Sequence, residues 1–280
     1  LWCNMMKEKT IMGVVKLKLD KIKKSTTINP LGREIKYGFN NQEESTAVLL
    51  LHGFGGKSSN WNYIAKKIYQ ELDLPVYVPR LPGHATNRSD FLNSSAEQWL
   101  RKSVDSYFYL KSDYQNIYLA GLSMGGLLAA LVASNFEVKK LSLVAPAFYT
   151  INKNIAFAPY LKYFVKKLDN DFQINQADLS AEEIDYHNNY SFNYYPKALA
   201  ELYKLIKKGR KAVPKIKSPT QLILSSNDKQ VATDQIKDFL NKKMGQFLVD
   251  QKIYQKSPHV IINDLEKERC AIDIIKFFSK

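Results

Sequence analysis

The segment Gly121-Leu122-Ser123-Met124-Gly125 places one serine between two glycines in a G-x-S-x-G pattern. It follows the mostly apolar residues 116–120 and precedes a segment rich in Gly and Ala, residues 124–134. This order is typical of a strained strand-to-helix turn, in which the glycines relieve backbone crowding and the serine hydroxyl stands clear of the sheet. We therefore predict Ser123 as a nucleophile. The alternative is a glycine-rich turn with an idle serine.

A serine hydroxyl needs a base to take its proton. Among the four histidines, His259 lies in Ser257-Pro258-His259-Val260, after the last predicted strand and before the last helix. Loops that follow parallel strands emerge at one edge of a sheet, so His259 should reach Ser123. We expect His52 to brace a loop, His84 to have a structural role and His187 to be exposed.

An acid is needed to fix the tautomer of the base and to stabilise the imidazolium. Asp228 follows the predicted strand 220–224, and Ser, Asp, His is one of the chain orders in which a catalytic triad occurs. Asp234 and Asp250 are rivals. Asp234 is expected in the first turns of a helix and Asp250 within a strand, so we predict Asp228 as the acid.

The glycine-rich sequence His52-Gly53-Phe54-Gly55-Gly56 follows the apolar run 47–51. Flexible glycines allow its backbone to approach the serine turn and to offer an N–H group, which we assign to Phe54. The N–H of Met124, at the start of the following helix, is the second predicted donor. Two such donors would stabilise an oxyanion that develops in the transition state. An ordinary glycine turn is the alternative.

The elements that must position these residues alternate along the chain. Continuous or alternating apolar runs predict strands, and segments of helical period lie between them. This pattern predicts an α/β fold with a mostly parallel central sheet and helices on both faces. Strands are predicted from Val14 and at 34–39, 47–51, 75–79, 116–120, 140–145, 220–224 and 246–254, and helices at 60–72, 95–111, 124–134, 231–241 and from Leu265.

The alternation stops between residues 151 and 212, where the sequence is helix-like. We predict a small helical cap there, inserted between two strands of a core domain formed by residues 13–150 and 213–280, with a loose tail at 1–12. The aromatic rings of this segment are expected either to line an acyl pocket or to contact the core. They are Phe157, Tyr160, Tyr163, Phe164, Phe172, Tyr190, Phe192, Tyr194 and Tyr195.

The composition limits the functions that are compatible with the chain. Apolar residues make up 45% and charged residues 24%, which suits a globular protein with a large core. The formal charge of +14 is spread along the chain without a base-reading motif, so a nucleic-acid partner is not predicted, whereas weak attraction to anionic lipid surfaces is an alternative. Cys3 and Cys270 form no metal-ligand cluster, and Cys270 is expected in the core.

No transmembrane segment or signal peptide is predicted, and a cytoplasmic location is the default expectation. A lipid-anchored form modified at Cys3, or an exported form, is the alternative. Trp2 suits the necessary cleavage site poorly.

With these residues in place, the chain resembles the carboxylesterase and monoacylglycerol lipase-like branch of the α/β-hydrolase superfamily. The resemblance rests on residues 50–54, Pro82-Gly83-His84, the serine motif, Asn227-Asp228 and Pro258-His259-Val260. It implies Phe54 and Met124 as oxyanion donors and a helical cap over the site.

The predicted function is hydrolysis of short- to medium-chain esters or monoacylglycerols by Ser123, His259 and Asp228, with a small-molecule acyl ester as substrate and without a metal or organic cofactor. The alternatives are a thioesterase, amidase or acyltransferase with the same triad, or a ligand-binding protein of very low turnover.

Overall fold

The computed structural model describes residues 28–39, 45–168, 180–190 and 195–280. The predicted tail at 1–12 and the predicted strand from Val14 lie outside these residues. Within them the strands are β1 (Ile35–Tyr37), β2 (Thr46–Leu51), β3 (Val76–Val78), β4 (Asn116–Leu122), β5 (Lys140–Val144), β6 (Thr220–Ser225) and β7 (Leu248–Tyr254).

These strands form one sheet with the order β1-β3-β2-β4-β5-β6-β7. Only β1 is antiparallel to its neighbour; β3, β2, β4, β5, β6 and β7 run parallel to one another. All residues of β2 and β6 are buried, as expected of strands covered on both faces, whereas the edge strand β7 alternates between half-buried and exposed residues. The predicted α/β fold with a mostly parallel sheet is confirmed.

Helices cover both faces of the sheet. They are α1 (Asn62–Leu72), α2 (Arg88–Asn93), α3 (Ala96–Lys111), α4 (Met124–Ala133), α5 (Ala158–Leu161), α6 (Ala181–Tyr190), α7 (Pro196–Ala212), α8 (Thr233–Met244) and α9 (Lys267–Ser279). Helix α1 packs against α9, and α3 packs against α4. A capping box of Ser95 and Gln98 starts α3.

The helical insertion, residues 151–212, contains α5, α6 and α7 and joins β5 to β6. Its longest helix, α7, buries an apolar stripe that includes Leu202, Leu205 and Ile206, and it packs on both α4 and α5. Gly209 permits this close approach, because a Cβ there would lie 3.1 Å from Leu127 of α4. The insertion is thus seated directly on the helix that follows Ser123. Its division from the core at residues 151 and 212 stays a prediction.

Four rings of the insertion correct the sequence-based expectation. Phe157, Tyr160, Tyr163 and Phe164 are 59%, 71%, 75% and 86% exposed, so they neither line a pocket nor contact the core. The short helix α5 turns Ala158 inward instead. Of the remaining rings, Tyr195 is buried, Tyr190 ends α6, and Phe172, Phe192 and Tyr194 lie outside the described residues.

Candidate active site

Ser123 occupies the turn between β4 and α4 with φ of 56°, in the left-handed region that costs a non-glycine residue free energy. Two glycines make this turn sterically feasible. A Cβ on Gly121 would lie 2.2 Å from the carbonyl oxygen of Gly125, and one on Gly125 would lie 2.1 Å from that of Leu51. The serine N–H donates to Val144 at 2.9 Å, which ties the turn to β5. Close backbone packing therefore determines where the hydroxyl points.

His259 and Asp228 complete a hydrogen-bonded chain with this serine. His259 Nε2 lies 2.8 Å from Ser123 Oγ, and its Nδ1 lies 2.7 Å from Asp228 Oδ2. The other oxygen of Asp228 accepts the backbone N–H groups of Gln230 at 2.7 Å and Val231 at 3.0 Å. Burial favours the neutral acid, but hydrogen bonds and charge from His259, with these two N–H groups, hold the pKa of Asp228 below its usual value.

The rival carboxylates lie elsewhere. Asp234 is in the first turn of α8, where its charge faces the helix N-terminus. Asp250 lies in β7 and accepts a hydrogen bond from Gln221 Nε2 at 2.8 Å. The structure thus brings together the three residues that were predicted to act together, and neither rival joins them.

A polar clamp holds the loop that carries His259. Glu266 Oε2 accepts the N–H groups of Lys256 and Ser257, both at 2.9 Å, and Ser257 Oγ accepts the N–H of Glu266 at 2.9 Å. Ser225 Oγ donates to the carbonyl oxygen of Ser257 at 2.5 Å and accepts the N–H of Asn227 at 3.1 Å. The loops of Asp228 and His259 are therefore joined. Sequence reasoning missed this clamp, because its members come from separate segments.

The glycine loop after β2 lies against the nucleophile. A Cβ on Gly53 would be 3.3 Å from Ser123 Cβ. The N–H groups of Phe54 and Met124, the predicted oxyanion donors, donate to no acceptor among the described residues. Both amides are thus available to a ligand, as the prediction requires.

Two buried histidines support this loop. His84 Nε2 accepts the N–H of Gly55 at 3.2 Å, and His52 Nε2 accepts that of Leu81 at 3.1 Å. The Nδ1–H group of each donates to a backbone carbonyl oxygen, of Pro82 and Gly53 respectively. Burial lowers the pKa of His52 to about 4 and holds that of His84 well below its usual value, so both rings are neutral near pH 7. His187 lies in α6.

A cavity of about 600 Å³ opens onto Ser123 and His259. Core residues and residues of the helical insertion both contribute to its walls, and most of the lining side chains are apolar, including Phe91, Leu122, Ile155, Leu161, Leu199 and Leu202. The volume lies within the range of small-molecule sites. Such a cavity accepts an apolar chain beside the reacting groups.

Within the described parts of the chain, no cluster of three or more His, Cys, Asp or Glu side chains is arranged to ligate a metal ion. The helices found there are too short or too polar to cross a bilayer. Cys270 is buried in the core, as expected.

Solved structures share this fold. A lipolytic enzyme of metagenomic origin, from the pair LipS and LipT, superimposes with a TM-score of 0.74 at 19% identity, covering 90% of this chain and 99% of that one. The monoacylglycerol lipase of Paleococcus ferrophilus gives a TM-score of 0.62 at 18% identity, covering 87% and 96%.

Curated sequences show a closer kinship. The carboxylesterase of Bacillus subtilis is 25% identical over 84% of this chain and 92% of its own length. The thermostable monoacylglycerol lipase of Bacillus sp. H-257 is 35% identical over a shorter stretch, 31% of this chain and 35% of its own. The sequence also matches the family "Serine aminopeptidase, S33" over residues 42–266. With the fold and the serine turn described above, the chain belongs to this S33 family of α/β-hydrolases.

Proposed function

We propose that this protein is a serine hydrolase that cleaves carboxylic esters by way of an acyl-enzyme, with Ser123 as nucleophile, His259 as base and Asp228 as its acid. One observation carries the proposal: the continuous hydrogen-bonded chain Ser123–His259–Asp228 at the wall of an apolar cavity. The carboxylesterase and monoacylglycerol lipases among the relatives favour esters over other acyl compounds.

In the first step, Ser123 Oγ attacks the acyl carbonyl carbon while its proton passes to His259 Nε2, 2.8 Å away. Asp228 holds the Nδ1–H of the imidazolium and stabilises its positive charge. Collapse of the tetrahedral adduct breaks the bond to the alcohol oxygen, which receives the proton from Nε2. The alcohol leaves, and Ser123 carries the acyl group.

Water then repeats the sequence on the acyl-enzyme. His259 Nε2 accepts a proton from the water as its oxygen attacks the acyl carbon, and it returns that proton to Ser123 Oγ as the acid leaves. In both steps the N–H groups of Phe54 and Met124 are the donors for the negatively charged oxygen. A single donor of this kind typically contributes 10²–10³ in kcat.

The cavity supports a substrate with a short- to medium-length apolar acyl chain, a class that includes monoacylglycerols. Its volume of about 600 Å³ and its largely apolar walls suit burial of methylene groups beside Ser123. The acyl-length optimum is measurable with a series of p-nitrophenyl esters from acetate to palmitate.

The decisive test is hydrolysis of this ester series by wild type and by Ser123→Ala. Because loss of the nucleophile cost about 10⁶ in kcat in another serine hydrolase, we expect a loss of several orders of magnitude. Ser134→Ala, which alters a serine at the other end of α4, is the matched control and should retain full activity. A serine-directed phosphonate should label Ser123 and abolish turnover; undiminished turnover after complete labelling would refute the proposal.

The same triad serves other acyl transfers, so thioesters, amino-acid anilides and alcohol acceptors carrying a matched acyl group belong in the same assay. The anilides test the aminopeptidase activity after which the family is named. A higher kcat/KM for a thioester or anilide would reassign the reaction while leaving the residue roles intact. Binding of apolar ligands with no turnover on any acyl compound would instead indicate a ligand-binding protein. The cytoplasmic location and the weak attraction to anionic lipid stay predictions.

A further inference from the structure

Lys57 is a positive charge built into the wall of the candidate active site. It follows Gly55 and Gly56 at the end of the glycine loop and lines the same cavity as Ser123. Its backbone N–H donates to Asn60 Oδ1 at 2.8 Å, so the start of the next turn fixes its position. Only 9% of the residue is exposed. A lysine this deeply buried is uncommon without a partner for its charge.

Within the described chain the ammonium group contacts an aromatic ring and feels the charge of Glu183, but it has no direct ion pair. Lys57 Nζ lies 4.6 Å from the centre of the Tyr186 ring, a cation–π contact. No hydrogen bond or ion pair joins Nζ to another described residue. Burial lowers the pKa of Lys57, and the negative charge of Glu183 opposes this effect. The three N–H bonds of the ammonium therefore have no acceptor among the described residues, and the residue itself lines the cavity.

The charges around the cavity favour an anion. Among the described residues, the charged side chains that line it are those of Lys57, Lys229 and Glu183, two positive and one negative. Lys229 is exposed, so water screens its charge. Lys57 is buried, and its charge acts in the less hydrated part of the cavity. A charge removed from water is destabilising unless it is paired and hydrogen-bonded. A carboxylate or phosphate on a bound substrate would provide both a pair and acceptors.

We propose that Lys57 is the binding site for an anionic group, a carboxylate or a phosphate, carried by the ester substrate. The inference rests on the proposed esterase function and narrows its substrate class to negatively charged esters. The competing explanation is structural: Lys57 only stacks on Tyr186, whose hydroxyl donates to the carbonyl oxygens of Gly55 and, at 3.1 Å, Gly56. In that case Lys57 would help to join α6 to the glycine loop without contacting substrate.

Two pairs of esters separate the sources of the anion. The first pair is p-nitrophenyl hydrogen adipate and p-nitrophenyl hexanoate, which differ by a carboxylate or a methyl group at the far end of the acyl chain. The second pair is monooctanoylglycerol phosphate and monooctanoylglycerol, which differ in the charge on the alcohol. Hydrolysis of each neutral ester measures the ester-cleaving activity itself. Hydrolysis of its charged partner measures the additional contribution of the anion site.

The variants are Lys57→Met, which removes the charge at similar length, and Lys57→Arg, which keeps it. Lys215→Met removes one positive charge from an exposed turn outside the cavity. It controls for the effect of the protein's net charge on hydrolysis of the charged esters. Hydrogen bonds to charged groups are strong, so Lys57→Met should lower kcat/KM for the charged ester of at least one pair by about 10- to 100-fold, mainly through KM. The neutral ester should change by less than about threefold, and Lys57→Arg should restore part of the loss.

Each outcome is decisive. An equal loss on both members of each pair would establish the structural explanation, and unchanged kinetics on both would also overturn the anion site. Hydrolysis of neutral esters by wild type shows that the proposed function holds even when the inference fails. If wild type hydrolyses neither neutral ester nor their charged partners, the proposed function fails first, and the inference falls with it.

Discussion

The serine turn and the His259 loop meet at one hydrogen bond but are held in different ways. Backbone packing fixes Ser123: Gly121 and Gly125 leave no room for a side chain, and the strained residue between them has little freedom. Side-chain hydrogen bonds fix His259, through Glu266, Ser257 and Ser225. The support of Ser123 is rigid and comes from residues that are neighbours in the sequence. The support of His259 consists of hydrogen bonds among polar residues from three separate segments.

Both backbone packing and side-chain hydrogen bonds hold the glycine loop. Its glycines let the backbone lie against Ser123, and two neutral histidines accept N–H groups of this region. The comparison implies that substitutions at the serine turn cause steric conflicts with the backbone, and that the structure cannot easily relieve these conflicts. Substitutions in the polar supports should have smaller effects that depend on pH.

Among the residues that support the catalytic side chains, the largest effect is expected from Gly125→Ala. The new Cβ would lie 2.1 Å from the carbonyl oxygen of Leu51 and 2.7 Å from that of His52, so β2 or α4 must move. We expect a loss of about 3 kcal/mol in the free energy of unfolding, because overpacking against backbone cannot be relieved by a rotamer change. A displaced nucleophile should also lower kcat by about 10²-fold or more. Chemical denaturation and ester hydrolysis measure the two effects.

Gly245→Ala is the matched control for this substitution. Gly245 also has a positive φ, of 54°, but a Cβ there would meet nothing within 4 Å, and the residue lies between α8 and β7 away from the cavity. Only backbone strain of about 1–2 kcal/mol is expected, with kcat unchanged. Equal kcat values for the two variants would show that tight packing at Gly125 does not position Ser123.

An intermediate effect is expected from Glu266→Ala. The substitution leaves the N–H groups of Lys256 and Ser257 without their acceptor, which should lower the unfolding free energy by about 1.5–3 kcal/mol. We expect kcat to fall about tenfold with KM little changed, because a looser loop misplaces His259 rather than the substrate. The measurements are a denaturation curve and a kcat–KM series on one neutral ester.

Glu266→Gln tests whether Glu266 acts as a positioning residue. One oxygen, Oε2, accepts both N–H groups, so the amide oxygen of Gln can replace it and should restore more than half of the kcat loss. A fall in stability without a fall in kcat in Glu266→Ala would show that the clamp supports folding alone.

The same contrast explains what the sequence could predict. Gly121, Ser123 and Gly125 are neighbours in the chain, and the apolar pattern indicates the strand and the helix beside them. The sequence alone therefore predicts both the turn and the elements that flank it. His259 and Asp228 were placed by the rule that loops after parallel strands share an edge. Lys57 and the clamp were missed, because partners that lie far apart in sequence define their roles.

The rings of the helical insertion show a different limit. Their spacing predicts a helical face, yet periodicity does not indicate which face turns inward. In the short α5, Ala158 is buried and Leu161 reaches the cavity, which leaves Tyr160 on the outside.

The smallest effect, and the most specific to the glycine loop, concerns pH. The pKa of His52 is lowered by burial from 6.5 to about 4, so between these values the unfolded chain binds a proton that the folded protein does not. The unfolding free energy should therefore rise with pH through this window and be lost as pH falls toward 4. His52→Gln keeps an acceptor for the N–H of Leu81 but cannot titrate. Its stability should depend less on pH, with a slope reduced by up to about 1.4 kcal/mol per pH unit.

Urea denaturation of wild type and His52→Gln at several pH values between 4 and 7 measures this difference. His84→Gln should reduce the slope in the same direction, since burial also lowers the pKa of His84, and the double variant should show nearly the sum of the two reductions. Relative to its own value at pH 7, each variant should lose less stability at pH 4.5 than wild type does, because the substituted side chain takes up no proton when the chain unfolds. Parallel curves for wild type and His52→Gln would mean that His52 takes up its proton while the protein is folded. The glycine loop would then be held by backbone packing, like the serine turn, and not by side-chain hydrogen bonds like those of the His259 loop.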